Sequence, residues 1–112
     1  MYARIARFEG LDPSRIDDDV AEMKRQMTSS SASGELPEGA PEEARVLMET
    51  VTRWVQLVDR GKGTAVGIAF CGSEEDARRA DEALNAMSPD DGQGRRIGAA
   101  EIYEIVIDES FA

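Results

Sequence analysis

The sequence predicts an α+β domain in which antiparallel strands form one sheet and two helices lie on a single face of it. Three observations carry this expectation. Four segments have the alternating or two-sided apolar pattern of strands, two have apolar residues at helical steps, and short turn signals join them as strand, helix, strand, strand, helix, strand. At 112 residues there is room for one core, so 1–112 reads as a single domain.

The first strand, Tyr2–Glu9, carries apolar residues on both parities, with Tyr2, Ala6 and Phe8 against Ala3 and Ile5. Gly10-Leu11-Asp12-Pro13-Ser14 then offers a turn glycine and two helix starts, Asp12 before Pro13 or Ser14 ahead of Asp17. In the helix that follows, Ile16, Val20, Met23 and Met27 form the inner stripe. Its acidic residues Asp17, Asp18, Asp19 and Glu22 lead and its basic residues Lys24 and Arg25 trail, as the helix dipole favours. Residues 28–41 are rich in Ser, Gly and Pro without periodicity and predict a flexible loop.

Residues 42–53 fit two patterns equally, a helical stripe of Ala44, Leu47, Met48 and Val51 or the start of a long strand. The strand pattern is clear over 53–59, and Arg60-Gly61-Lys62-Gly63 supplies a hairpin connection. The next strand, Thr64–Cys71, alternates bulky Val66, Ile68 and Phe70 with small Ala65, Gly67, Ala69 and Cys71. Ser73 with Asp76 three places on has capping-box spacing, and the second helix follows with Ala77, Ala80, Leu84 and Met87 inward until Ser88-Pro89. A loop over 90–98 leads to the last strand, 99–108, with Tyr103, Ile105 and Ile107 on one face and Ile102 and Val106 on the other.

The order β-α-β-β-α-β is that of the ferredoxin-like split motif, a four-stranded antiparallel sheet with both helices on one face. Two helices cover one face only, yet most strands here offer apolar side chains to both. A second cover is required, either the segment after Pro41, if helical, or a second copy of the chain. An exposed face of that size exceeds the few hundred square ångströms usual for a monomer, so a homodimer packed sheet to sheet is expected.

Composition narrows the partners. Thirteen basic against twenty-three acidic residues give a net charge of -10, which repels nucleic-acid backbones and anionic lipid surfaces alike. The basic pairs Arg78-Arg79 and Arg95-Arg96 sit among acidic neighbours and read as solvated surface. One cysteine and no histidine exclude an internal disulfide and the usual zinc and haem-ligand sets, so no metal or cofactor is expected. No apolar run approaches the roughly 20 residues that span a bilayer, and a cytoplasmic protein is expected.

The opening YARIARFEG, the strand-hairpin-strand LVDRGKGTAVGIAF, the strand-to-helix junction GSEEDARRADEALNAM and the closing AEIYEIVID together resemble the antibiotic biosynthesis monooxygenase-like domains of the dimeric α+β barrel superfamily. The resemblance covers most of the chain outside 28–52. It implies a dimeric barrel and, among activities, cofactor-independent oxidation of polycyclic aromatic substrates. The chain departs from the catalytic members at three points: Cys71 stands near the place of a Trp at the end of the third strand, the first strand has no Asn, and there is no haem-binding His. Two functions follow, a dimer that binds or oxidises a small aromatic molecule without a cofactor, or a non-catalytic dimeric structural or regulatory module. A small-molecule sensor with the same element order is a third.

Any ligand site would draw its polar groups from strand residues that break the apolar pattern: Arg4, Gln56 and Glu104, with Trp54 and Tyr103 as stacking surfaces. Each has a plain structural alternative. Arg4 pairs with a carboxylate such as Glu104, while Trp54 and Tyr103 serve the core or the dimer contact. Cys71 has no histidine to activate it and reads as a small buried side chain at a strand end.

Overall fold

The structure, a computed structural model, describes residues 1–33, 42–86 and 95–111, with no side-chain description for 26–33. The elements are β1 Tyr2–Glu9, α1 Ile16–Ser33, α2 Glu42–Thr50, β2 Val51–Asp59, β3 Thr64–Cys71, α3 Glu74–Ala86, β4 Arg95–Arg96 and β5 Glu101–Glu104. One antiparallel sheet runs β2-β3-β1, and both β4 and β5 pair with the far edge of β1. This α+β arrangement is compatible with the ferredoxin-like order, with a third helix inserted before the second strand.

Local chemistry accounts for the element boundaries. The Asp12 side chain accepts hydrogen bonds from the Ser14 amide at 3.0 Å and the Ser14 hydroxyl at 2.7 Å, closing the turn that launches α1. Those two bonds hold the Asp12 carboxyl below its ordinary range. Ser73 caps α3, its hydroxyl accepting from the Asp76 amide at 3.1 Å. In the β2–β3 hairpin the Asp59 carboxylate accepts from the Lys62 amide, and Gly63 adopts φ +66°. A Cβ at Gly63 would lie 2.9 Å from the Leu11 carbonyl oxygen, so only glycine lets the hairpin tip touch the turn after β1.

Four expectations change. Of the loop expected over 28–41, residues 28–33 are helix, because α1 continues to Ser33; Ser, Thr and Ala are tolerable helix residues, and the first breaker after Met27 is Gly34. Residues 34–41 lie outside the described ones, as does the expected stop at Ser88-Pro89. The ambiguous 42–53 resolves as both readings in turn, helix to Thr50 and strand from Val51, with a register irregularity between Val51 and Arg53. The last strand is far shorter than 99–108. Glu101–Glu104 pair with β1, the Ile105 amide reaches the Met1 carbonyl at 2.9 Å, and the chain beyond is not strand. Part of the loop expected over 90–98 is instead the short strand β4.

The register sorts side chains into two faces. Toward α3 point Tyr2, Arg4, Ala6 and Phe8 of β1, opposite Cys71, Ala69, Gly67 and Ala65 of β3. Trp54, Gln56 and Val58 of β2 and Ile102 of β5 share this face. Helix α3 lies over β1 and β3, and α2 lies against α3. Cys71, Ala77 and Ala80 are fully buried there, with Tyr2, Leu47, Val51 and Ile102 packed around them. The small residues of β3 let the helix approach closely, as the alternation of that strand predicts. The opposite face carries Ile5, Val55, Leu57, Val66, Ile68, Phe70 and Tyr103, none of them fully buried.

Candidate functional site

Arg4 lies in the middle of β1 under α3, with only 4% of its side chain exposed. A guanidinium held this far from water needs compensation, and α3 supplies it. Arg4 Nε donates to Asp81 Oδ1 at 2.8 Å and Nη2 donates to Asn85 Oδ1 at 3.2 Å. Arg96, on β4, donates to the same Asn85 oxygen. The ion pair anticipated with Glu104 is therefore not formed; the partner comes from the helix. Glu104 instead accepts a long bond, 3.4 Å, from the Tyr2 hydroxyl. The Tyr2 hydroxyl is held above its ordinary value by burial first and by the Glu104 charge second.

On β2, two positions of the same face join to make a second polar feature. The Trp54 indole N–H donates to Gln56 Oε1 at 3.2 Å. Both groups lie across Gly67: a Cβ there would come within 3.1 Å of Trp54 Cζ2 and 3.2 Å of Gln56 Oε1. Gly67 thus makes the recess that the edge of the indole and the Gln56 amide oxygen occupy. The Gln56 carbonyl is engaged, and its amide hydrogens are the donors left for another group.

Arg4, Trp54, Gln56 and Glu104 share one face, with Trp54 and Arg4 on either side of Ala69 in a single row across three strands. Tyr103 does not join them. It pairs with Ala3 and faces the opposite side, where its hydroxyl donates to Glu101. Glu101 also accepts from Arg7. The Tyr103 bond, then the Arg7 contact, hold the Glu101 carboxyl below its usual range, and the same bond raises the Tyr103 phenol. Arg53 lies over the Phe70 ring at 5.4 Å on that side. Cys71 is buried under α3, and burial, followed by the charge of Asp76, raises its thiol, the reverse of what a nucleophile requires.

Asp81, Asn85 and Gly67 complete these arrangements and were not singled out from the sequence. A signal for the first two was present: they stand four apart on α3, beside the stripe of Ala77, Ala80 and Leu84, so they flank whatever that stripe covers. Among the described residues no group of three or more His, Cys, Asp or Glu could hold a metal ion, and no helix is long and apolar enough to cross a membrane. No family model matches the chain, and a search of curated proteins finds no match.

Proposed function

We propose that the chain is a cytoplasmic homodimeric association module of ferredoxin-like type, in which two sheets pack through the face opposite α3 to build a dimeric α+β barrel. The observation that carries this reading is that open face itself. It carries Ile5, Val55, Leu57, Val66, Ile68, Phe70 and Tyr103, of which Leu57 is 50% and Tyr103 48% exposed. Neither Arg4 nor the Trp54 indole needs a ligand to satisfy it, which favours a non-catalytic module. Sedimentation velocity at micromolar concentration tests the proposal. A dimer that Leu57→Asp dissociates is the expected outcome, and a monomer throughout would falsify the reading.

A second reading rests on the recess over Gly67. Trp54 presents an aromatic plane and Gln56 a free amide donor, the groups that hold a flat aromatic molecule bearing a carbonyl or phenolic oxygen. Cofactor-free oxidation of such a molecule is the activity that the resemblance implies. Titration with 1,4-naphthoquinone and 2-naphthol, followed by Trp54 fluorescence, checks it. Saturable quenching that Gln56→Leu weakens supports the reading, and linear collisional quenching removes it.

A further inference from the structure

The two adjacent arginines of β4 are engaged differently. Arg95 reaches Glu9 at 2.6 Å, and most arginines among the described residues likewise reach a carboxylate, in a chain where acidic residues outnumber basic ones. Arg96 makes no such pair among them. Its guanidinium donates to Asn85 Oδ1, a neutral oxygen that already accepts from Arg4 at 3.2 Å. Two cations therefore meet at one amide, and the only carboxylate bonded to this set among the described residues is Asp81, which Arg4 Nε engages. We propose that Arg96 and Asn85 form the binding site for a small organic carboxylate, at the corner where β4 meets the end of α3. The site lies on the α3 side of the sheet and is independent of how copies of the chain assemble.

The donors present select the ligand. Arg4 is buried and bonded to α3, so it adds charge to the site without meeting solvent, whereas Arg96 and Asn85 are exposed and open to a ligand. Arg96 gives one donor to Asn85 and keeps the rest of its fork, and the Asn85 amide hydrogens have no acceptor among the described residues. A guanidinium fork matches the two coplanar oxygens of a carboxylate, and the amide adds a further donor. Charge limits the ligand to one negative unit. Two guanidiniums against the Asp81 carboxylate leave a single positive charge unmatched, and the end of α3 at Ala86 supplies only the partial negative charge of a helix terminus. A phosphate dianion would overshoot that balance in a chain of net charge -10. Arg96 also pairs with Phe8 across the strands, which puts the two side chains on one face, and Phe8 is half-buried. An aromatic acid fits this arrangement, its carboxylate on Arg96 and its ring against Phe8.

Titration of the full chain with sodium benzoate at constant ionic strength and pH 8, followed by proton–nitrogen NMR of the Asn85 side-chain amide and the Arg4 Nε–H, tests this. Both signals should move and saturate together, and Arg96→Gln should weaken the affinity at least tenfold. Arg96 is exposed, so that variant keeps the fold, which unchanged backbone signals of β1 and β3 verify. Shifts that grow linearly with benzoate, or a saturation that Arg96→Gln leaves unchanged, would overturn the site. Acetate, which has no ring to rest on Phe8, should bind at least threefold more weakly than benzoate, and equal affinities would remove Phe8 from it. Inorganic phosphate that displaces benzoate at equal concentration would overturn the assignment to a carboxylate of single charge.

Discussion

On the α3 side of the sheet the side chains directly beneath the helix are small and inaccessible, with Ala6 3%, Ala65 3%, and Ala69 and Cys71 0% exposed, while Phe8 and Trp54 at the margins of that face are half-buried. On the other side Ile5, Val55, Val66, Ile68 and Phe70 are large and only half-buried. Hydrophobicity alone would rank these faces the other way round. What buries a residue here is the approach of a helix, and a helix approaches closely only where the strands beneath it are lined with alanine and glycine. The branched and aromatic side chains of the other face sit where no described element covers them, as the proposed sheet-to-sheet contact requires.

The sharpest way to break this contrast is to add volume to the covered side. Ala77→Leu places three further carbons where exposure is 0%, and overpacking of this kind costs about 1–3 kcal/mol. Val66→Ile adds one carbon on the open side and should change stability by less than about 0.5 kcal/mol. Urea midpoints measure both. The Ala77→Leu loss should be the same at every protein concentration, while the effect of open-face changes should vary with it. Equal losses at the two positions would mean that the faces are packed alike.

The next largest effect is expected at Arg4, the one buried charge among the described residues. Arg4→Met removes the cation and leaves Asp81 and Asn85 facing an apolar side chain. Losing one member of a buried pair costs about 3–5 kcal/mol, but Asp81 retains 30% exposure and rehydrates in part, so a loss of about 2 kcal/mol is expected. Asp81→Asn in the Arg4→Met background should then be close to neutral. An additive double variant would show that the two side chains do not depend on each other.

How far the sequence disclosed this molecule can be judged element by element. The hairpin at Gly63, the Ser73 cap and the alternation of β3 were all readable, because each is set by residues within a few places of one another. Long-range pairing was not. Nothing local says that β1 stops opposing the last strand at Glu104, so the apolar alternation through Val106 and Ile107 predicted strand where the chain has no partner for it. The same limit applies to Arg4. Its position on β1 called for a carboxylate, but the choice between Glu104 and Asp81 depends on how α3 sits over the sheet. Tyr103 fell out of the site because its neighbour Ile102, not it, shares the row of Arg4.

The smallest expected effects separate the faces by pH. Burial raises the Cys71 thiol, so the folded chain keeps that proton after the unfolded chain has lost its own. Its contribution is complete below the ordinary thiol value of 9.0 and falls as pH rises above it. On the open face Glu101 titrates in the opposite sense. Its carboxyl is held low, so its contribution is complete above the ordinary value of 4.5 and falls as pH drops through the folded value. Stability measured by urea from pH 3 to pH 10 should therefore lose part of its alkaline slope in Cys71→Ala and part of its acid slope in Glu101→Gln. The acid effect should be the weaker, because Glu101 lies beside solvent and its bonds to Tyr103 and Arg7 are screened by it. In the proposed dimer that solvent would be excluded. The acid slope should steepen with protein concentration while the Cys71 part of the alkaline slope, set beneath α3, stays constant, and an acid limb independent of concentration would place Glu101 outside the interface.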